Sequence, residues 1–139
     1  MNNKELILKA IDALNRAYCP YSNFRVGAAL LCENDIVYTG CNIENASFSA
    51  TNCAERTAFF KAIEKGERSF KKIAVVGGNN GIINEYIPPC GVCLQVMSEF
   101  CIPDLKIILA KNEDDYIETT LRQLLPQSFT NKNMGESYE

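Results

Sequence analysis

Two short cysteine motifs are the residues of this sequence whose types and spacing could carry chemistry. Ala54 separates Cys53 from Glu55, and further along the chain Cys90 and Cys93 form a Cys-x-x-Cys pair. A structural zinc site closes its shell with four protein ligands, whereas a catalytic site keeps three and leaves one position for water. Three thiolates beside one carboxylate therefore predict one zinc ion per chain, with Glu55 as the group that takes and returns the proton of an activated water.

Histidine is absent from the chain. Its absence excludes a Ser-His-Asp triad, a Cys-His pair and every zinc site that uses an imidazole ligand. Acid-base chemistry must therefore fall to Glu, Asp, Lys, Tyr or Cys, and Glu55 is the carboxylate that lies within a cysteine motif.

Other interpretations of these motifs stay open. The Cys-x-x-Cys pair could be a redox motif of thioredoxin type, which leaves Cys53 and Glu55 unexplained. Glu55 could merely cap a helix that starts at Asn52, and a non-catalytic zinc module has no role for it. A structural zinc site could also recruit a fourth cysteine from apolar segments, where buried inert thiols are common: Cys19, Cys32, Cys41 or Cys101.

Apolar periodicity predicts the elements that must position the motifs. Helical spacing covers residues 4–18, a segment from Asn52 to Gly66, a segment that opens at Pro88, and a last turn over 121–125. Apolar or β-branched runs predict strands, which cover residues 26–32, 36–41, 72–76, 105–110 and 116–118. We therefore expect a single α/β domain over 1–139, with residues 130–139 as a loose tail.

Alternation of helices and strands favours three layers, α/β/α, around a mixed, mostly parallel sheet of about five strands. Cys53 and the Cys90–Cys93 pair then lie in the first turns of two helices, where free N–H groups and the positive helix end stabilise thiolates. Three thiolates leave zinc with excess negative charge, and Arg56 is placed to compensate for it.

Composition limits the partners and the location. The chain has 14 basic and 17 acidic residues and a net charge of −3, which argues against a nucleic-acid partner because such proteins need a basic face. The N-terminus lacks the features of a signal peptide. The longest uncharged apolar stretch is far shorter than the roughly 20 residues of a membrane span. We therefore expect a cytoplasmic protein with no membrane partner.

Five motifs in order give the chain a resemblance to the small homotetrameric cytidine deaminases, from about Leu6 to Phe129. The motifs are residues 20–30 (PYSNFRVGAAL), 40–46 (GCNIENA), 53–58 (CAERTA), 89–96 (PCGVCLQV) and 124–129 (LLPQSF). The resemblance implies hydrolytic deamination of free cytidine and 2′-deoxycytidine to uridine and 2′-deoxyuridine, with release of ammonia, in pyrimidine salvage. A zinc-activated water and Glu55 as the proton shuttle would carry out the reaction.

The resemblance also implies substrate contacts. Asn42 and Glu44 should hydrogen-bond the ribose hydroxyls, since an amide beside a carboxylate offers both donors and acceptors. The backbone at Ala54 and Cys90 should contact the pyrimidine ring. Phe24 should pack on the substrate from its own subunit.

Two further aromatic residues concern the assembly. The resemblance implies that Phe48 and Phe129 reach the active sites of neighbouring subunits, which would make the homotetramer necessary for function. The alternative is that Phe24, Phe48 and Phe129 are only core or interface aromatics.

Three departures from the family pattern concern affinity. Leu94 stands where the family usually has Arg, and Phe48 stands where Tyr is common. Residues 77–87 resemble the corresponding loop of blasticidin S deaminase about as well as that of cytidine deaminase, so a blasticidin S-type deaminase is the alternative activity. A deaminase that acts on a base in RNA or single-stranded DNA is a further rival, but such enzymes usually carry His in the first motif.

Overall fold

The computed structural model describes residues 1–135. Helices and strands follow one another in this order: α1 Asn3–Leu14, β1 Phe24–Cys32, β2 Val37–Cys41, a 3-10 turn Phe48–Ala50, α2 Ala54–Glu64, β3 Phe70–Asn79, α3 Gly91–Phe100, β4 Lys106–Ala110, β5 Tyr116–Thr120, α4 Leu121–Leu124 and a 3-10 turn Asn131–Met134. The last turn lies in the segment expected to be a loose tail, and residues 136–139 lie outside the described residues.

One sheet of five strands runs through the domain in the order β2-β1-β3-β4-β5. The mixed sheet of five strands is confirmed, but the expectation that it is mostly parallel is wrong. Only the β3–β4 pair is parallel, and the other three pairs are antiparallel. Short turns join β1 to β2 and β4 to β5, and a short turn can only join antiparallel neighbours. The longer crossover through α3 allows β3 and β4 to run in parallel.

Helices cover both faces of the sheet, which confirms the three-layer α/β/α fold. On one face α1 buries Leu6, Ile7, Ala10 and Leu14 against alternate residues of β1, β3 and β4. On the other face α2 and α3 bury Phe59 and Met97, among others, against the remaining strand residues. Strands that are buried on both sides contain continuous apolar runs rather than alternating ones, which is why these runs stand out in the sequence.

Several boundaries differ from the sequence expectation, among them the end of α1 and the end of β3. Helix α1 ends at Leu14 instead of residue 18, because Tyr18 leaves the helix to form a β-bridge with Ile43. Strand β3 extends to Asn79, since it pairs with β1 along its whole length as far as Phe24. The first residues of the expected loop at 77–87 therefore belong to the sheet.

The two helices that carry the cysteine motifs begin at the cysteines themselves. Cys53 is the N-cap of α2 and Cys90 is the N-cap of α3. Gly40 allows α2 to lie directly against β2, because a β-carbon at Gly40 would lie 2.4 Å from the carbonyl oxygen of Ala54. This close approach fixes the position of the α2 N-terminus relative to the sheet.

Within residues 1–135, no helix combines the length and the apolar character that crossing a membrane would require.

Candidate active site

The three cysteines of the motifs converge. The sulfur of Cys53 lies 3.8 Å from that of Cys90, which lies 3.6 Å from that of Cys93, and all three atoms lie within 4.8 Å of one another. Zinc–thiolate bonds of about 2.3 Å in tetrahedral geometry place neighbouring sulfurs about 3.8 Å apart. The three thiols therefore fit a zinc ion without rearrangement.

None of the other cysteines joins this cluster. In the described part of the chain, it is the only convergent group of three or more side chains of the types that bind metals. Cys19 and Cys32 are buried, while Cys41 and Cys101 are partly buried. Burial raises the pKa of the Cys32 thiol to about 11 and that of Cys101 to about 12, as expected for inert thiols. A structural site with four cysteine ligands is therefore contradicted.

Helix ends and a cation stabilise negative charge at the cluster. The N-cap positions of Cys53 and Cys90 place their thiols at the positive ends of two helices. The pKa of the Cys53 thiol is lowered to about 5, because Cys93 and Arg56 donate hydrogen bonds to its sulfur and outweigh the opposing effect of burial. The pKa of Cys93 is raised by that same hydrogen bond and by burial. Of Cys53 and Cys93, Cys53 is thus the thiol that ionises more readily.

Arg56 lies beside the cluster, where the sequence placed it. Its Nη2 donates to the sulfur of Cys53 at 3.3 Å, and its pKa is raised chiefly by this hydrogen bond. Its Nε is buried and has no hydrogen-bond partner among residues 1–135. The guanidinium is thus held next to the thiols at some desolvation cost, and it supplies positive charge where three thiolates would accumulate negative charge.

Glu55 is buried next to the cysteines. It is only 4% exposed, and burial raises the pKa of its carboxyl to about 7. The N-cap of α2 is Cys53, whose side chain makes no capping hydrogen bond within the described residues. Asn52 instead donates through its amide to the hydroxyl of Thr57 at 3.1 Å. The interpretation of Glu55 as part of a capping box with Asn52 is therefore wrong.

Two neighbouring cavities open at the site. The inner cavity, of about 190 Å³, is lined by Cys53, Cys90, Glu55, Ala54 and Asn42, among others. The outer cavity, of about 350 Å³, is lined by Tyr21, Ser22, Glu44, Phe48 and Thr51, and Thr51 lines both. A third cavity of about 310 Å³, between α3 and α4, contains none of the predicted site residues.

Asn42 and Glu44 line different cavities and have different partners. The amide of Asn42 accepts from the Val26 N–H at 2.9 Å and donates to the Phe24 carbonyl at 2.7 Å, so one hydrogen and one lone pair stay free. The carboxylate of Glu44 accepts from the N–H groups of Tyr21 and Ser22 and from the Ser22 hydroxyl. Ser22 was not predicted to be a site residue; in the sequence it appears only as part of the motif over residues 20–30, which leads into a strand.

The three aromatic residues predicted to contact the substrate do not come together within a single chain. Phe24 opens β1 and is partly buried. Phe48 is 73% exposed at the outer cavity, where its ring centroid lies 6.0 Å from that of Tyr21. Phe129 is 60% exposed and does not line either cavity. Leu94, one of the three departures, packs in the core at 7% exposure.

A three-layer α/β/α domain, with three convergent thiols at two helix N-termini and a buried carboxylate beside them, defines a zinc-dependent enzyme rather than a structural metal module. Comparison with known proteins narrows this class.

Residues 1–109 match the profile of the cytidine and deoxycytidylate deaminase zinc-binding region. The chain is 47% identical over 139 residues to the cytidine deaminase of Sporosarcina psychrophila, which covers 100% of this chain and 99% of that protein. It is 48% identical over 136 residues to the cytidine deaminase of Halalkalibacterium halodurans, with 98% and 100% coverage. The crystal structure of cytidine deaminase from Burkholderia pseudomallei superposes with a TM-score of 0.85 at 46% identity, covering 93% of this chain and 100% of that chain. The chain therefore belongs to the cytidine and deoxycytidylate deaminase family.

Proposed function

We propose that this enzyme deaminates free cytidine and 2′-deoxycytidine by hydrolysis to uridine and 2′-deoxyuridine, with release of ammonia. The observation that carries the proposal is the burial of Glu55 beside three convergent thiols. Two relatives named cytidine deaminase, at 47% and 48% identity over nearly the full chain, support the substrate class.

Cys53, Cys90 and Cys93 would hold one zinc ion per chain, since their sulfur spacing fits three thiolate ligands. When bound, zinc supplies the Lewis acidity that makes water a nucleophile at neutral pH. Arg56 offsets the negative charge of the thiolates through its hydrogen bond to Cys53.

Glu55 performs the proton transfers. Attack of water at C4 of the pyrimidine requires one group to take a proton from the water, to protonate N3, and to help the amino group leave as ammonia. A carboxyl whose pKa is raised to about 7 by burial can both accept and donate a proton near neutral pH. Glu55 is the carboxylate that lines the inner cavity.

The two cavities suit the two halves of a nucleoside. The backbone of Ala54 and Cys90 borders the inner cavity, where the pyrimidine would lie, and Asn42 lies between this cavity and β1. Glu44 in the outer cavity would accept from a sugar hydroxyl. Phe24 would contact the substrate that is bound in its own subunit.

A homotetramer would complete the site. The rings of Phe48 and Phe129 are largely exposed in a single chain, which leaves them available to neighbouring subunits. The net charge of −3 and the free-nucleoside pocket favour a cytoplasmic role in pyrimidine salvage without a nucleic-acid partner.

Zinc analysis combined with a turnover assay tests the proposal. The wild-type protein should contain one zinc per chain and should release one ammonia for each cytidine or deoxycytidine converted. Cys53→Ser should lose both zinc and turnover, whereas Cys41→Ser, whose thiol lies outside the cluster, should keep both. Full zinc content without turnover of either nucleoside, or turnover of blasticidin S alone, would overturn the proposed activity.

A further inference from the structure

The hydroxyl of Ser22 joins the carboxylate of Glu44 to the start of strand β1. Its Oγ accepts the Phe24 N–H at 3.0 Å and donates to Oε2 of Glu44. Because the Phe24 N–H occupies a lone pair of the hydroxyl, the single hydroxyl proton is left for Glu44. Ser22 thus connects Glu44, which is proposed to bind the sugar, to strand β1. This strand carries Phe24, which is proposed to contact the substrate.

Within the part of the chain that the structure describes, hydrogen bonds to the Glu44 carboxylate leave one acceptor position unoccupied. A carboxylate has about four positions at which it can accept a hydrogen bond. The N–H groups of Tyr21 and Ser22 donate to Oε1 at 3.0 and 3.1 Å, and the Ser22 hydroxyl donates to Oε2. The position that remains lies on Oε2, the oxygen that Ser22 holds, so the orientation of this acceptor depends on Ser22.

The backbone around Ser22 is fixed. Asn23 has a φ of 58°, a left-handed conformation that Asn tolerates better than most residues. Its N–H donates to the Cys19 carbonyl at 2.9 Å, and its own carbonyl accepts from the Asn80 N–H at 2.7 Å. The turn therefore holds the Ser22 hydroxyl in place rather than leaving it as a rotor at the surface.

We propose that Ser22 is a positioning residue that holds Glu44 as the acceptor of a single sugar hydroxyl and so selects nucleosides that carry a 3′-hydroxyl. The inference rests on the proposed function: of the hydroxyls attached directly to the sugar ring, the 3′-hydroxyl is the one that cytidine and deoxycytidine share. The hydrogen bond from Ser22 is also the largest cause of the lowered pKa of Glu44, and an ionised carboxylate only accepts hydrogen bonds. The ionised Glu44 carboxylate therefore favours a sugar whose hydroxyl can donate a hydrogen bond over a sugar that lacks this hydroxyl.

The ratio of kcat/KM for cytidine to kcat/KM for 2′,3′-dideoxycytidine tests this role. In Ser22→Ala the ratio should fall about tenfold, the scale of one hydrogen bond to a charged group, mainly through a higher KM for cytidine. Ser22→Thr keeps a hydroxyl and should retain most of the ratio. Ser69→Ala, an exposed serine in the loop before β3, is the matched control and should leave the ratio unchanged.

A merely structural role gives a different result. If Ser22 only stabilised its turn, Ser22→Ala would lower kcat/KM for both nucleosides equally and the ratio would stay constant, which would overturn the inference. Failure of the wild-type enzyme to convert either nucleoside would instead overturn the proposed function. The two failures are therefore distinguishable.

A double-mutant cycle with Glu44→Ala tests whether Ser22 acts through Glu44. In the Glu44→Ala background, Ser22→Ala should produce no further fall in the ratio; additive losses would contradict the inference. Calorimetric binding of uridine and 2′,3′-dideoxyuridine should show the same loss for uridine alone. If Ser22→Ala does not fold, the Ser22→Thr and Glu44→Ala variants decide the question, because a Thr variant that loses the ratio as fully as Glu44→Ala would exclude a role for the hydroxyl.

Discussion

Arg56 donates a hydrogen bond from Nη2 to the sulfur of Cys53, 3.3 Å away, within the first turn of the same helix. The guanidinium thus contacts a thiol whose pKa is lowered to about 5, at the positive end of α2. Zinc with three thiolates would have too much negative charge nearby to acidify water well, and this contact withdraws part of that charge.

Replacement of Arg56 should therefore affect the reaction more than metal binding. We expect Arg56→Gln to retain most of its zinc, which three thiolates still bind, but to lower kcat by about tenfold or more, equivalent to at least about 1.4 kcal/mol in the activation free energy. Arg56→Lys keeps the positive charge but not the planar guanidinium group, and its kcat should lie between those of the wild type and Arg56→Gln. Metal analysis and steady-state kinetics on the same preparations measure both effects. An unchanged kcat in Arg56→Gln would remove the charge-compensating role.

Gly40 should be necessary for the geometry of the thiol cluster. A β-carbon there would lie 2.4 Å from the Ala54 carbonyl oxygen and 2.6 Å from the Ala58 nitrogen. Backbone atoms cannot rotate away, so Gly40→Ala should displace the start of α2 and lower the free energy of unfolding by about 1–3 kcal/mol. Because Cys53 is the N-cap of α2, zinc affinity should fall as well.

Gly91→Ala is the matched control for this prediction. Gly91 follows Cys90 at the start of α3, but a β-carbon there meets nothing within 4 Å. Urea unfolding should place this variant within about 0.5 kcal/mol of the wild type, with normal zinc content. Equal effects of the two substitutions would show that the contact at Gly40 does not matter.

Assembly should affect activity through Phe129. Its side chain is 60% exposed, although its carbonyl accepts a hydrogen bond from Gln95 Nε2 at 2.8 Å and so fixes the local backbone. If the ring enters the active site of a neighbouring subunit, light scattering should show a tetramer, and Phe129→Ala should raise KM for cytidine about tenfold or more, since burying an aromatic side chain contributes about 1.5–3 kcal/mol. Full activity in a monomer would contradict this expectation.

The convergence of the three thiols could be predicted because each of the two cysteine motifs is short and lies at a helix start. Cys53 and Cys90 are the N-caps of two helices and Cys93 lies in the first turn of the second, so each cysteine motif lies within a few residues of its helix signal. The sheet directions were less accessible, since periodicity identifies a strand such as β3 without identifying its neighbours. The Ser22–Glu44 contact was missed because it joins two loops and depends on the left-handed backbone of Asn23, which leaves no periodic pattern in the sequence.

Glu55 provides the sharpest distinction between an enzyme with this mechanism and a protein that only binds zinc. It is buried, its carboxyl has a pKa raised to about 7, and the N-cap of α2 is Cys53, which excludes a capping box between Glu55 and Asn52. Glu55→Gln preserves the shape of the side chain and removes its ability to transfer protons. General acid-base groups contribute roughly 10²- to 10⁴-fold each, and a single group that serves several transfers should reach the upper end of that range.

We therefore expect Glu55→Gln to keep its fold, one zinc per chain and its affinity for uridine, while kcat for cytidine falls by about 10⁴-fold. Glu64→Gln, at an exposed position on the same helix, makes the same chemical change away from the site and should retain wild-type kinetics. Circular dichroism, metal analysis, calorimetric binding of uridine and steady-state kinetics separate the contributions. If Glu55→Gln kept more than about a tenth of the wild-type kcat, corresponding to less than about 1.4 kcal/mol of activation free energy, Glu55 could not be the proton carrier, because an amide cannot replace a carboxylate in that role.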